Sequence, residues 1–278
     1  MDDTIELNPV EQKLVDDLLQ ELYRQRGLDY RNYSRTFLSR RISAFVKKQN
    51  FNSVEEMVER VMEHDEDLER FIGSLSLPTT RMFRDPQVFR YLRESIIPML
   101  SRTHLTKVWS AGCSTGEETY SLAIILHEEL PGRKILTFAT DLNEKSLYKA
   151  KKGIYQVRRM RAYTLGYMAS GGTRDFSNYY QADDENAIFN EDIKKNLVFA
   201  QHNLVTDSSF NEFDLILCRN VLIYFNRGLQ ERVVKLLSKS LRPGGVLILG
   251  DKESLRAMSS QNDFFELDRM LRVFRKRE

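Results

Sequence analysis

The chain has 278 residues, of which 41% are hydrophobic, and a net charge of +2, so it can form a substantial core and more than one domain. No segment approaches the roughly 18 apolar residues of a membrane-spanning helix, and the acidic N-terminus, Met1–Thr4, differs from a secretory signal. We therefore expect a cytoplasmic protein without direct membrane insertion. Cys113 and Cys218 lack metal or redox spacing, and the four histidines share no ligand spacing, so we expect buried thiols and no metal site.

Apolar residues at helical spacing predict an all-helical N-terminal domain over residues 1–76. Leu14–Leu22 and Phe37–Val46 each carry one apolar stripe, and Ser53–Glu56 is a capping-box pattern that predicts the start of a third helix. No strand pattern interrupts these helices. We expect residues 77–90 to form a connector to the rest of the chain.

Charge within this domain falls into two opposite blocks. Residues 24–48 contain eight basic side chains against one acidic one, a local charge of +7, whereas residues 55–70 have a local charge of −6. The basic residues of the second predicted helix form a candidate substrate-docking face, made of Arg40, Arg41, Lys47 and Lys48. Most charged helix faces are simply solvated, and that alternative stays open.

From Lys107 onward, strand and helix patterns alternate, which predicts an α/β domain with a mostly parallel sheet. The candidate strands are 107–111, 135–140, 197–201, 214–218 and 246–250. Phe264–Phe274 is expected to add a hairpin at the sheet edge. Residues 153–196 do not fit the alternation and are expected to form an inserted subdomain. The whole predicted domain spans residues 91–278.

Val108–Glu118 and Thr137–Asp141 have the pattern of a nucleotide-binding βαβ unit, with a glycine-containing turn between strand and helix. The unusual feature is Glu117, because an ionised carboxylate in this turn would repel the pyrophosphate of a dinucleotide. Gly112 and Gly116 also give G-x-x-x-G, without a third glycine or a phosphate-binding lysine. A cofactor with an adenosine and a positive charge fits better. S-adenosylmethionine carries a sulfonium and an ammonium, so methyl transfer is the favoured chemistry.

Asp141 ends the second strand of this unit, where a carboxylate usually holds a ribose diol. Two structural alternatives stay open. Glu117 stands three residues after Ser114 and could belong to a capping box, and Asp141 could cap a helix that begins near Asn143.

Six short segments follow one another in a fixed order between residues 80 and 245, so that with the helical domain in front they extend over nearly the whole chain. They are Thr80–Asp85, Trp109–Glu118, Ala139–Asp141, Asn203–Leu204, Cys218–Phe225 and Leu241–Gly245. Together with the helical domain in front, they resemble the CheR-type methyltransferases, which methylate glutamate side chains of bacterial chemotaxis receptors. The resemblance implies an all-helical N-terminal domain followed by a Rossmann-like S-adenosylmethionine-dependent methyltransferase domain with a small β insertion.

The resemblance also implies site residues, position by position. The implied S-adenosylmethionine pocket is lined by Thr80, Arg84, Glu117, Asp141, Asn203, Leu204, Arg219 and Asn220. The implied catalytic residues, nearest the transferred methyl group, are Arg84 and Tyr224. Two positions depart from the family pattern, with Pro78 where asparagine is frequent and Thr119 where proline is frequent.

Each implied residue also has a structural interpretation. Arg219 and Asn220 could be turn residues at the end of a strand, and Tyr224 could belong to the core. Arg84 and Asp85 could form a surface ion pair that contributes little to stability.

A glutamate nucleophile is already ionised near neutral pH, because its reference pKa is about 4.3, so no general base is expected. The expected partner is the acidic, helical cytoplasmic region of a chemotaxis receptor, docked on the basic face of a monomeric enzyme. One alternative is a nucleic-acid methyltransferase that grips phosphates with the basic block, although the adjoining acidic block argues against a nucleic-acid partner. Another is a non-catalytic S-adenosylmethionine-binding signalling module.

Overall fold

The computed structural model of the protein describes residues 7–75, 80–100 and 105–278. Contacts divide the chain into two compact units. The smaller unit is the described part of Met1–Leu77 together with Ile223–Arg232. The larger unit is the described part of Pro78–Leu222 together with Val233–Glu278.

Residues 7–75 of the smaller unit contain four helices, and the sequence patterns predict the first three of them. The four helices are α1 (Pro9–Arg26), α2 (Arg35–Gln49), α3 (Val54–Glu63) and α4 (Asp65–Leu75). The start of α3 is as predicted, since the Ser53 side chain accepts a hydrogen bond from the Glu56 N–H at 3.2 Å. The Glu56 carboxylate accepts instead from the Asn52 N–H at 2.7 Å, so only the Ser53 half of the capping box forms.

The four helices enclose an apolar core. Its fully buried side chains include Leu18, Leu19, Ile42, Met57 and Phe71. Burial of each such side chain stabilises the unit by about 1.5–3 kcal/mol.

The segment Ile223–Arg232 joins this unit through backbone hydrogen bonds. The Ser34 N–H donates to the Tyr224 carbonyl at 2.8 Å, and the Asn226 N–H donates to the Asn32 carbonyl at 2.9 Å. These bonds lie between segments remote in sequence, which explains why no local pattern predicts them.

The larger unit contains two sheets. Its strands are β1 (Leu105–Ala111), β2 (Lys134–Asp141), β3 (Ile154–Gln156), β4 (Tyr180–Ala182), β5 (Asn186–Phe189), β6 (Leu197–Gln201), β7 (Phe213–Cys218), β8 (Leu241–Leu249), β9 (Phe264–Asp268) and β10 (Val273–Lys276). The main sheet has the order β6-β2-β1-β7-β8-β10-β9. Its first five strands pair in parallel, and the β9–β10 hairpin adds antiparallel strands at the edge. The predicted α/β class and the five predicted core strands are confirmed.

Seven α-helices accompany these strands in the described residues from Pro86 onward, and the first of them continues the connector. They are α5 (Pro86–Tyr91), α6 (Ile97–Leu100), α7 (Glu117–Glu129), α8 (Glu144–Lys152), α9 (Met160–Ala169), α10 (Glu191–Lys194) and α11 (Arg227–Ser240). A π turn, Leu92–Ile96, lies between α5 and α6.

No loop separates the end of α11 from the next strand. The helix ends at Ser240, and β8 begins immediately at Leu241. Leu241 pairs with Phe213, but the next pair is Val246 with Leu215, so the intervening residues bulge out of the ladder.

The predicted insert region contains α9, α10 and a separate antiparallel sheet of order β3-β5-β4. Glu128 of α7 fixes it to the larger unit. The hydroxyls of Tyr167 and Tyr179 both donate to the Glu128 carboxylate, which also pairs with Arg93 of the π turn. Because these groups come from four different elements, the insert is anchored to the larger unit rather than loosely attached.

Cys113 and Cys218 are buried free thiols, as predicted, and burial raises the pKa of both. Within the three described ranges, no helix has the length and apolarity needed to cross a bilayer. Within the same ranges, no group of three or more His, Cys, Asp or Glu side chains is placed to hold a metal ion. Pro78 lies outside the described residues.

Candidate functional site

The carboxyl ends of β1, β2 and β7 meet at one edge of the main sheet, because these strands are parallel neighbours. Ligands of open α/β sheets bind at this edge. The loops that leave it contain most of the predicted site residues of the larger unit.

The glycine turn after β1 is tightly constrained. The N–H groups of Gly112 and Cys113 donate to the Thr140 carbonyl at 2.8 and 2.9 Å. Gly112 and Gly116 have φ values of +73° and +93°. A Cβ at Gly112 would lie 2.5 Å from a Val221 methyl carbon. Both glycines are therefore required for the conformation and packing of this turn.

Asp141 connects the end of β2 to this turn. Its two carboxylate oxygens accept hydrogen bonds from the Ser114 N–H at 2.8 Å and the Asn143 N–H at 2.9 Å. The cap of α8 is made by Asn143, whose side chain accepts from the Ser146 N–H at 2.9 Å. Burial raises the pKa of Asp141, partly offset by the backbone N–H groups. A carboxylate oxygen has two lone pairs, so Asp141 can still accept ribose hydroxyls.

Glu117 is the first residue of α7 and is 1% exposed. One carboxylate oxygen accepts a hydrogen bond from the Thr115 hydroxyl at 2.6 Å, and the other lies 3.6 Å from an Arg159 guanidinium nitrogen. Burial raises the pKa of Glu117. The capping-box alternative is wrong, because the helix is capped by Gly116 without any side-chain hydrogen bond.

A buried carboxylate at this position favours a cationic ligand. The N-terminus of a helix carries a positive partial charge that would otherwise attract anions. The Glu117 carboxylate outweighs this positive partial charge, so that the helix N-terminus no longer favours anions. Because the carboxylate is buried away from water, a cation beside it stabilises its charged form. Glu117 and Asp141 thus fit a ligand with both a positive charge and a diol, as S-adenosylmethionine has.

Arg219 follows β7 and points into the protein, with a side chain only 1% exposed. Its guanidinium pairs with Asp85 at 2.6 Å and with Glu118 at 2.9 Å, and donates to the Arg84 carbonyl at 3.2 Å. Burial raises the pKa of Glu118, and Arg219 partly offsets this. Arg219 therefore ties the connector to α7, a role beyond that of a turn residue.

Arg84 lies between two residues with left-handed backbone, since Phe83 and Asp85 have φ values of +52° and +56°. Such conformations are strained for residues other than glycine and cluster at functional sites. The Arg84 side chain is 33% exposed, and its Nε lies 3.9 Å from the Asp85 carboxylate. This contact is long for an ion pair, and Arg84 also acts electrostatically on Glu118, whose pKa it lowers.

Asn220 has a φ of +60° and is held by a residue that the sequence analysis missed. The buried Glu253 carboxylate accepts three hydrogen bonds, from the N–H groups of Asn220 at 3.0 Å, Val221 at 2.8 Å and Gly250 at 2.6 Å. The only signal for it was an acidic residue shortly after a buried strand. Glu253 fixes the loop after β7 to the end of β8.

Asn203 and Leu204 follow β6 at the same sheet edge. The neighbouring His202 N–H donates to the Asp141 carbonyl at 3.2 Å, which places this loop beside the end of β2. The Asn203 side chain accepts from the Val205 N–H at 2.9 Å, and Leu204 is buried.

Thr80 lies in the connector, on a cleft of about 770 Å³ between the connector and α9. The lining residues include Thr80, Met82, Phe83, Arg159 and Tyr163. The cleft is confined to the larger unit and includes a predicted cofactor residue.

Tyr224 belongs to the smaller unit. Its ring centroid lies 4.8 Å from that of Phe37, and the Arg41 guanidinium lies 5.4 Å from the Phe37 ring. Burial lowers the pKa of Arg41, which is half-buried, whereas Lys47 and Lys48 are exposed. Arg41 is therefore the least accessible residue of the predicted docking face, and Arg40 is exposed with the two lysines.

Two family models match this chain. Residues 78–271 match the CheR methyltransferase, SAM binding domain, and residues 14–76 match the CheR methyltransferase, all-alpha domain. Fold and family-model match together define an S-adenosylmethionine-dependent methyltransferase. The chain belongs to the CheR methyltransferase family.

Relatives match over most of their length. A provisionally named methyltransferase, Cher3, of Pseudomonas putida is 42% identical over 93% of this chain and 95% of its own. A chemotaxis protein methyltransferase of Listeria innocua is 34% identical over 87% of this chain and 92% of its own length. Among solved structures, an S-adenosylmethionine-dependent methyltransferase from Clostridium acetobutylicum is 17% identical with a TM-score of 0.35, over 66% of this chain and 57% of its own. The predicted family, enzyme class and cofactor are confirmed by the family models.

Proposed function

We propose that this enzyme transfers a methyl group from S-adenosylmethionine to glutamate side-chain carboxylates of a chemotaxis receptor, and so tunes chemosensory adaptation. The observation that carries the proposal is the buried Glu117 carboxylate beside the glycine turn, with Asp141 at the end of the next strand. Relatives named chemotaxis protein methyltransferase support the receptor as substrate.

In this proposal, the residues at the sheet edge hold the two ends of the cofactor. Glu117 binds the ammonium of its methionine part, and Asp141 accepts from the ribose hydroxyls. Leu204 offers an apolar surface for the adenine, and Asn203 a polar edge. Thr80, Arg219 and Asn220 complete the pocket, with Arg219 and Asn220 also holding its loops in place.

The chemistry requires alignment more than proton transfer. When bound, S-adenosylmethionine supplies an electrophilic methyl group on a positively charged sulfur. The attacking carboxylate is ionised near neutral pH, since its reference pKa is about 4.3, so no residue has to remove a proton. Arg84 orients the incoming carboxylate, and the Tyr224 hydroxyl positions the reacting group. Closing the site removes water from the nucleophile.

Substrate capture is assigned to the basic face of α2. Arg40, Lys47 and Lys48 are exposed, and they continue a block with a local charge of +7. An acidic helix from the cytoplasmic region of a receptor complements this charge. We infer that the enzyme acts as a monomer in the cytoplasm, where this region of the receptor is accessible.

The test is incubation of the purified protein with tritiated S-adenosylmethionine and receptor-containing membranes. We expect base-labile methyl esters on the receptor band, and no ester with Arg84→Ala, which serves as the matched inactive variant. Cofactor binding without label transfer would contradict the proposal and favour a non-catalytic signalling module. A gel shift with RNA or DNA at moderate salt, together with label on the nucleic acid, would favour the nucleic-acid alternative.

A further inference from the structure

The insert contributes directly to the glycine turn. The Tyr155 hydroxyl donates to the Thr115 carbonyl at 2.8 Å, and a Cβ at Gly116 would lie 3.0 Å from the same hydroxyl. Tyr155 is buried, and burial raises its pKa strongly. The insert therefore packs directly against the glycine turn. A side chain of the insert near Tyr155 can reach a ligand bound at this turn.

Arg159 is such a side chain. It follows β3 by one short turn, is 51% exposed and lies 3.6 Å from the Glu117 carboxylate. The neighbouring Tyr163 raises the pKa of Arg159, as does Glu117. The effect of Tyr163 is mainly that of a hydrogen bond with Arg159, whereas the 3.6 Å contact with Glu117 is an ion pair that leaves the guanidinium N–H groups on that side to a ligand.

Arg159 also lines the 770 Å³ cleft that contains Thr80. The Arg159 guanidinium and the Glu117 carboxylate therefore lie side by side at the glycine turn, and Arg159 also faces the open cleft. The methionine end of S-adenosylmethionine has the complementary pair of charges, an ammonium and a carboxylate on one carbon. A guanidinium can hold a carboxylate through two parallel hydrogen bonds, which a lone ammonium cannot.

We propose that Arg159 binds the carboxylate of the cofactor's methionine end while Glu117 binds its ammonium, so that the insert takes part in cofactor recognition. This assignment rests on the proposed role of Glu117. It makes Arg159 a specificity determinant for ligands that carry an intact α-amino acid group.

The test is calorimetric binding of two probes, S-adenosylmethionine and decarboxylated S-adenosylmethionine, which differ only in the carboxylate. For Arg159→Met we expect about tenfold weaker binding of S-adenosylmethionine, as for one charge-assisted contact at a partly exposed position. Binding of the decarboxylated probe should stay within about twofold of wild type. Arg159→Lys should recover only part of the loss, because a lysine cannot make the bidentate contact.

Arg158→Met is the matched control, since Arg158 lines the same cleft but bonds to Gln156. It should bind both probes as wild type does. Equal loss of both probes in Arg159→Met would overturn the proposal, as would unchanged or tighter binding of S-adenosylmethionine. Receptor methylation is measured separately, and its absence with normal probe discrimination would contradict the proposed substrate while leaving the role of Arg159 intact.

Discussion

Arg219, at the end of β7, and Asp85, in the connector, form an ion pair of 2.6 Å across 134 sequence positions. The same guanidinium also pairs with Glu118 of α7. Two acidic groups that neighbour the candidate site thus share one buried cation. The connector is held by these charges, and also by the Phe83 N–H, which donates to the Ser121 hydroxyl of α7 at 2.8 Å.

Replacement of Arg219 by Met should destabilise the protein by about 3 kcal/mol, because Glu118 and Asp85 lose their buried partner. The free energy of unfolding in urea measures this loss. Arg26→Met is the control, since its 2.8 Å ion pair with Asp65 is exposed and its loss should change stability by less than about 0.5 kcal/mol. Equal stability of the two variants would show that the Arg219 pairs contribute nothing net.

Arg84→Ala should reduce methyl transfer by about 100-fold or more while the protein stays folded, because misplacement of the reacting groups is costly. Single-turnover assays with saturating cofactor separate this effect from cofactor binding. Circular dichroism and thermal unfolding serve as the folding control. Normal turnover would remove Arg84 from the reaction.

Glu253→Gln should destabilise the protein by roughly 1–3 kcal/mol, because an amide cannot accept from all three N–H groups that the carboxylate now satisfies. The effect should be local, with faster hydrogen exchange at the amides of Asn220, Val221 and Gly250. Asp251→Asn, at a neighbouring exposed position, is the matched control and should leave exchange unchanged. Uniform exchange across the sheet would instead indicate global destabilisation.

Glu117→Gln should stabilise the ligand-free protein and weaken S-adenosylmethionine binding. Burial raises the Glu117 pKa above its ordinary value of 4.5, so the native state binds more protons than the unfolded state between the two pKa values. The contribution of Glu117 to the free energy of unfolding therefore falls as pH rises through this window and is restored as pH falls.

The measurement is urea unfolding of wild type and Glu117→Gln from pH 4 to pH 8, the range being roughly that in which carboxyl groups with raised pKa titrate. Subtracting the two curves removes the contributions of Glu118 and Asp141, whose pKa values are also raised. The variant should gain stability on the high-pH side only. A constant difference at all pH values would contradict the titration of Glu117 as its cause.

Lys47→Ala/Lys48→Ala should raise the KM for receptor membranes at low salt by about 5- to 10-fold, with kcat unchanged, if α2 captures an acidic helix. The difference should shrink at high ionic strength, where exposed charges are screened. Lys149→Ala/Lys151→Ala removes the same charge from the exposed face of α8 and is the control. An equal effect of the two variants would point to net charge rather than a docking face.

Local patterns were sufficient for the main sheet. β1, β2 and β7 are each rich in apolar residues, and parallel strands place their ends together, so Glu117 and Asp141 could be paired from sequence. The contacts of Arg219 and Glu253 depend on residues remote in the chain, and no periodicity predicts them. The backbone pairing of Tyr224 with Ser34 is likewise nonlocal. Helical spacing places Arg41 beside Phe37, four residues earlier, but it does not specify that Arg41 is half-buried.

Glu128 accepts hydrogen bonds from two tyrosine hydroxyls of the insert while paired with Arg93. A subdomain anchored in this way loses its conformational entropy during folding, before any ligand arrives. Arg159 is then carried on a preorganised scaffold, and recognition of an amino acid group need not be accompanied by ordering of a loop. Because the insert is held in place by Glu128 before the ligand binds, substitution of Glu128 should also lower the affinity for the ligand.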